Sequence, residues 1–172
     1  RIMKYLVLLT LFALCRGSLI ANDEIPGAPQ KQPIALVGGT VHPVESADIP
    51  NGVVLFEAGR ITKIGKNGSV QIPKNAQIIH CRKKHIYPGL FEAHSQLGLV
   101  EIRAVRASRD RSESGRINPN VMAHISVNPD SELIPVTRAN GELLALTAPS
   151  GGLISGQAAV LQLDGWTFED MT

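Results

Sequence analysis

Ile86-Tyr87-Pro88-Gly89-Leu90-Phe91-Glu92-Ala93-His94-Ser95-Gln96-Leu97-Gly98-Leu99 is the stretch on which the reading of this chain turns. Pro88-Gly89 marks a turn. A short apolar run follows, carrying one carboxylate and one imidazole, and Gly98 closes it. A run of that length between turn signals predicts a buried strand. His94-Ser95-Gln96 then presents polar side chains at the strand's C-terminal end, where parallel α/β folds hold their sites. Residues two apart on a strand point to the same side. Two histidines at that spacing grip one metal ion, usually zinc, through their imidazole nitrogens. Here the second position is Gln96, whose neutral amide oxygen is a much poorer zinc ligand. On the residues alone, His94 reads either as a metal ligand or as a hydrogen-bonded histidine at a strand end.

The stretch resembles the first barrel strand of the amidohydrolase superfamily, in particular its imidazolonepropionase-like members. That strand typically runs Pro-Gly, two apolar residues, Asp or Glu, x, His, x, His, x, Gly. Pro88-Gly89-Leu90-Phe91-Glu92-Ala93-His94-Ser95-Gln96-Leu97-Gly98 matches every motif position except the second histidine. The resemblance extends well over residues 34 to 99. It implies a mixed β and α/β fold, with a small N-terminal β-sandwich over 34–88 followed by the first strands of an incomplete (β/α)8 TIM-type barrel over 89–172. It implies a divalent metal, zinc by ligand type, with His94 the one metal ligand that carries over; catalytic residues stay unassigned. A closed barrel takes about 250 residues and this chain has 172, so an N-terminal piece, or the product of a shortened gene, is expected.

The formal net charge is +2, with both signs spread along the chain. That makes no case for nucleic acid or an acidic membrane as partner; a small-molecule substrate is the partner implied by the resemblance, and an oligomer is left open. The one local concentration is Arg103, Arg106, Arg109, Arg111 and Arg116, interleaved with Glu101, Asp110 and Glu113. It reads as a solvated face, or as a subunit or substrate contact at the barrel mouth.

Lys4 precedes the apolar run from Tyr5 to Cys15, the pattern of a signal-peptide core too short to span a bilayer. Small residues at Gly17, Ser18 and Ala21 place cleavage after Ala21. Residues 1–21 are therefore expected to be a signal peptide, the protein exported (periplasmic or secreted), and any membrane contact confined to that peptide. With Cys15 removed, Cys81 is a lone thiol that forms no intramolecular disulfide; it reads as a small buried hydrophobe. Residues 22–33, with Pro26, Pro29 and Pro33, read as a flexible lead-in.

Between Ile34 and Tyr87 the pattern is short strands and turns, expected as an antiparallel set. Asn51-Gly52, Ala58-Gly59 and Asn67-Gly68 are its turn signals. His42, His80 and His85 lie on these strands and are given no chemistry. Beyond the motif, Leu99 to Ser112 is expected to be helical. Glu132 to Gly141 reads as a short helix with Pro135 in its first turn, and Glu142 to Thr147 as the second barrel strand. The Gly/Ser-rich loop Ala148 to Gln157 could line a pocket or bind an anion through backbone N–H groups. Ala158 to Gly165 reads as another strand, with Trp166 packed on it.

Two functions follow. One is a metal-dependent hydrolase of C–N bonds other than peptide bonds. The alternative is an exported, non-catalytic protein that keeps the scaffold and has lost its metal site.

Overall fold

The computed structural model describes residues 25–172. The expected signal peptide, Cys15 and the start of the lead-in lie outside the described residues. The chain is sheet-rich with few helices. Its elements are β1 (Ile34–Val41), β2 (Ile49–Glu57), β3 (Arg60–Lys66), β4 (Gln77–His80), β5 (His85–Ile86), β6 (Leu90–Ser95), α1 (Leu133–Ala139), β7 (Glu142–Thr147), β8 (Ala159–Gln162) and α2 (Phe168–Met171). Among the described residues no helix is long and apolar enough to cross a membrane.

β1 to β5 form one five-stranded sheet, ordered β3-β2-β1-β4 with β5 also on β1. The expected all-antiparallel pairing needs correction. β2 runs antiparallel to β1 and β3, but β4 and β5 both run parallel to β1. A turn in which Lys84 N donates to the Cys81 carbonyl interrupts this parallel segment. Turn residues at Asn67-Gly68 reverse the chain after β3, but nothing in that signal specifies which edge the next strand joins.

Asn51-Gly52 behaves differently from its usual hairpin role. The chain passes through it within β2, and Asn51 takes φ +49° as a bulge. Gly39 pairs with Gly52 and Val41 with Ile49, so β2 carries one extra residue there. Gly52 is required by close approach: a Cβ would sit 2.6 Å from Val41 Cγ2. Ala58-Gly59 makes the turn that the sequence predicts, and its φ of +50° and +72° give it the type I′ form.

Ala35, Val53 and Leu55 are buried inside this sheet, and Cys81 is buried as expected. Burial of each Val or Leu side chain contributes roughly 1.5–3 kcal/mol. The opposite face, with Leu36, Val54, Phe56 and Ile64, opens on a cleft of about 590 Å³ that Tyr87, Pro88 and Leu143 bound from the other side. The described part of the lead-in is tied down. The Gln30 side chain donates to the Phe56 carbonyl and accepts from Gly59 N, both at 2.9 Å, and Gly27 N donates to the Asp164 carboxylate.

The second sheet is three-stranded, in the order β6-β7-β8. β6 and β7 are parallel, with α1 between them in sequence, the strand–helix–strand unit that the sequence predicts. Pro135 lies in the first turn of α1, where its missing N–H costs nothing. Arg138 near the end of α1 donates to the Leu163 carbonyl at 3.1 Å and pairs with Asp164. Leu90 N donates to the Gly141 carbonyl at 2.8 Å, so the helix exit and the β6 entry are fixed together. A Cβ on Gly89 would fall 2.3 Å from Leu143 Cδ1 and 2.9 Å from its Cβ, which explains glycine after Pro88. β8 runs antiparallel to β7. The buried core of this half is Leu99, Val100, Ala123, Val127, Ile134, Ala145, Leu161, Leu163 and Met171.

Two local expectations fail here. Residues 99–112 form no α-helix: Val100 bridges Arg109 in antiparallel fashion around a 3-10 turn at Arg106–Ser108. Of Val100, Ile102 and Val105 only the last two fall at helical spacing, and the Ser108 hydroxyl, 3.0 Å from both the Ile102 and the Val105 carbonyl oxygens, shares its one proton between them. Such local side-chain bonds compete with the helix. Trp166 is 63% exposed rather than packed on β8; its backbone N–H and that of Thr167 both donate to the Asp170 carboxylate at the start of α2.

Candidate functional site at the end of strand β6

β6 ends at Ser95, so His94 lies on the strand while Gln96 lies just past it. The register with β7 slips between Glu92 and Ser95. Three residues of β6 there oppose two of β7, so simple alternation does not apply across His94. A sequence reading of side by side His94 and Gln96 assumed an unbroken pleat. His94 is exposed. Its backbone N–H donates to Glu92 Oε1 at 3.1 Å, which occupies the carboxylate of the motif.

Gln96 Oε1 accepts from Arg111 Nη1 at 3.3 Å. The amide oxygen that stands where the resemblance expects an imidazole thus faces a guanidinium. A cation at that oxygen would meet like charge at short range, which costs free energy at any local dielectric. Among the described residues no group of three or more His, Cys, Asp or Glu is placed to hold a metal ion. Zinc takes three or four protein ligands. One exposed imidazole beside an arginine-bound amide does not by itself fit that ion.

A polar clasp fixes the strand end. The Thr147 hydroxyl, fully buried, donates to the Leu97 carbonyl at 3.0 Å. Its proton is thereby committed, so Ser95 Oγ, 3.3 Å away, donates to Thr147 Oγ1 and accepts from Leu97 N. Thr147→Val keeps the shape and removes the hydroxyl. The Leu97 carbonyl would lose this donor, and stability should fall by about 1–3 kcal/mol in urea unfolding.

Two loops form the lip above the clasp. Ala148 N donates to the Ser95 carbonyl at 3.0 Å, and Ser150 N to the Arg111 carbonyl at 2.7 Å. Leu153 N and Ile154 N both reach the Arg116 carbonyl, and Gln157 N reaches Val121. The Gly/Ser-rich loop therefore spends these N–H groups on Ser95 and on residues 111–121, and they are not offered to an anion as the sequence alone allows. Arg106, Arg109, Arg111 and Ser112 line a small cavity of about 210 Å³ in this loop region. Their convergence was missed by the sequence reading, because it depends on the Val100–Arg109 bridge rather than on a helix.

Elsewhere, His42 and His85 are more organised than strand histidines of no assigned role. His42 Nδ1 lies 2.8 Å from Asp48 Oδ1, and its Nε2 lies 2.8 Å from His85 Nδ1. Tyr87 stacks on His42 with ring centroids 4.3 Å apart.

With its five-stranded sheet followed by a parallel strand–helix–strand unit, the chain is similar to amidohydrolases over part of its length. An amidohydrolase from Thermotoga maritima MSB8 shares 27% identity at a TM-score of 0.74, over 80% of this chain and 36% of its own. Molinate hydrolase shares 32% identity over 41% of this chain and 15% of its own, at a TM-score of 0.36. Guanine deaminase of E. coli shares 22% over 42% and 20%, at 0.34. The chain thus spans little more than a third of the length of the Thermotoga protein. No protein-family model matches it, and neither does any curated protein sequence.

Proposed function

We propose that this chain is the portion of a C–N hydrolase, acting on bonds other than peptide bonds, that carries the first sheet and the opening strands of the barrel. One observation carries the reading: the β6–α1–β7 unit, with Pro88-Gly89 before it and His94 at its end, lies within a chain similar to an amidohydrolase at a TM-score of 0.74. In this reading residues 34–88 belong to a β-sandwich and residues 89–172 to a (β/α)8 barrel. His94 would be one ligand of a divalent metal, zinc by ligand type, and the other ligands would come from later strands of a longer polypeptide. Such an ion, when bound, polarises a carbonyl and supplies a hydroxide near neutral pH. The substrate would be a small molecule, and export would follow from residues 1–21.

A second reading, a scaffold that has lost its metal site, is favoured by the contact between Arg111 and Gln96. Metal analysis and intact mass of protein purified from its native cells separate the two. The hydrolase reading expects a chain of at least twice this mass, metal near one equivalent, and turnover of cyclic amides that His94→Ala reduces to background. Metal-free protein without turnover would sink it and leave the scaffold reading standing.

A further inference from the structure

We propose that Arg106, Arg109 and Arg111 form a binding cup for a small oxyanion, a phosphate or a carboxylate. With Ser112 they line a cavity of about 210 Å³, below the ~300–1,000 Å³ of sites that take drug-sized ligands. Asp110 and Glu113 adjoin these arginines in sequence, yet neither lines the cavity. Among the described residues, none of Arg106, Arg109 and Arg111 takes part in an ion pair, so no carboxylate neutralises the three guanidinium groups. Arg106, Arg109 and Arg111 are exposed, so water screens their mutual repulsion, and an anion in the shared cavity removes what remains of it.

The backbone holds the cup open in advance of any ligand. Val100 bridges Arg109, Arg109 N donates to the Arg106 carbonyl at 3.2 Å, and Asp110 N donates to Leu99 at 2.8 Å. Ser150 N pins the Arg111 carbonyl, and Gln96 Oε1 accepts from one arm of the Arg111 fork. The planar fork still presents further N–H donors, the geometry that suits planar or tetrahedral oxyanions. Through Gln96 the cup adjoins the end of β6. The inference concerns binding alone and stands apart from hydrolysis.

The test is a titration of the full chain, isotopically labelled at arginine Nε, with sodium phosphate and separately with sodium acetate. Sodium chloride holds the ionic strength constant. Saturable shifts are expected at Arg106, Arg109 and Arg111 and not at Arg103, which does not line the cavity. Arg109→Gln and Arg111→Gln should each weaken binding by about fivefold. Arg103→Gln removes the same charge elsewhere and should leave it unchanged. Tighter phosphate binding would mark the natural ligand as phosphorylated, and tighter acetate binding as a carboxylate. Shifts that stay linear with concentration, or an equal loss in Arg103→Gln, would overturn the cup, because net charge alone would then explain them.

Discussion

Leu161→Ala is expected to lower the stability of the chain by about 3 kcal/mol, within the ~2–5 kcal/mol typical of buried leucines. Leu161 is fully buried and pairs across the sheet with Ala145, itself fully buried. Ile134 of α1, Leu163 beyond β8 and Met171 of α2 belong to the same core. Removing the isobutyl group costs its transfer free energy, and a cavity term adds to that where the surroundings do not collapse. Collapse is limited here because the core is built from six separate segments along the chain. Urea midpoints would read the loss, with Val160→Ala as the internal comparison. Val160 is 49% exposed and lies on the other side of β8. Its truncation should cost well under half as much. Equal costs for the two would mean that β8 is not docked on the core as described.

The legible part of the fold was the part written in short-range signals. Pro88-Gly89 and Gly98 bracket β6, Gly141 follows α1, and Ala58-Gly59 turns β2 into β3; each works through backbone geometry that a few residues determine. What stayed hidden depended on partners far along the chain. The choice of β1 as the parallel partner of β4 and β5 is a tertiary decision. So is the passage of Asn51-Gly52 through a strand, which follows from the close approach of Val41. The expected helix at 99–112 failed because charge-rich composition was read as a helix face without the apolar period to support it.

The strand that carries His94 was legible, and what surrounds its end was not. His94 lies on β6, as the Pro-Gly-x-x-Glu-x-His pattern implies. The register slip between Glu92 and Ser95 and the engagement of Gln96 by Arg111 are products of the facing strand and of a loop that begins well beyond the motif. Arginines at 106, 109 and 111 were visible as a charge concentration. That they converge without carboxylate partners became visible only once the Val100–Arg109 bridge replaced the helix.

Gly152→Ala should cost about 3–4 kcal/mol, or unlatch the loop lip if that is easier. Gly152 has φ +67°, a conformation that costs an L-residue roughly 1–2 kcal/mol. A Cβ there would lie 2.7 Å from the Arg116 carbonyl oxygen and 3.0 Å from its carbon. Those are backbone atoms, so no side-chain rotation relieves the clash. Relief requires residues 148–157 to withdraw from 111–121, which breaks the bonds from Leu153 N and Ile154 N to Arg116. Net losses of about 1 kcal/mol per bond then add to the backbone cost. Gly59→Ala isolates the first term, since Gly59 has φ +72° with no atom near the added Cβ. Local opening can be cheaper than global unfolding, so hydrogen exchange is the discriminating measurement. Loss of protection at Asn118, Leu153, Ile154 and Gln157, with an unchanged urea midpoint, would show the lip to be a separable unit. A lowered midpoint with uniform loss of protection would show that the lip and the β6–β7–β8 core unfold together. Where the lip opens, Arg111 loses its backbone anchor at Ser150, and oxyanion binding should weaken in Gly152→Ala but not in Gly59→Ala. Unimpaired binding in both would mean that the lip does not position the arginines.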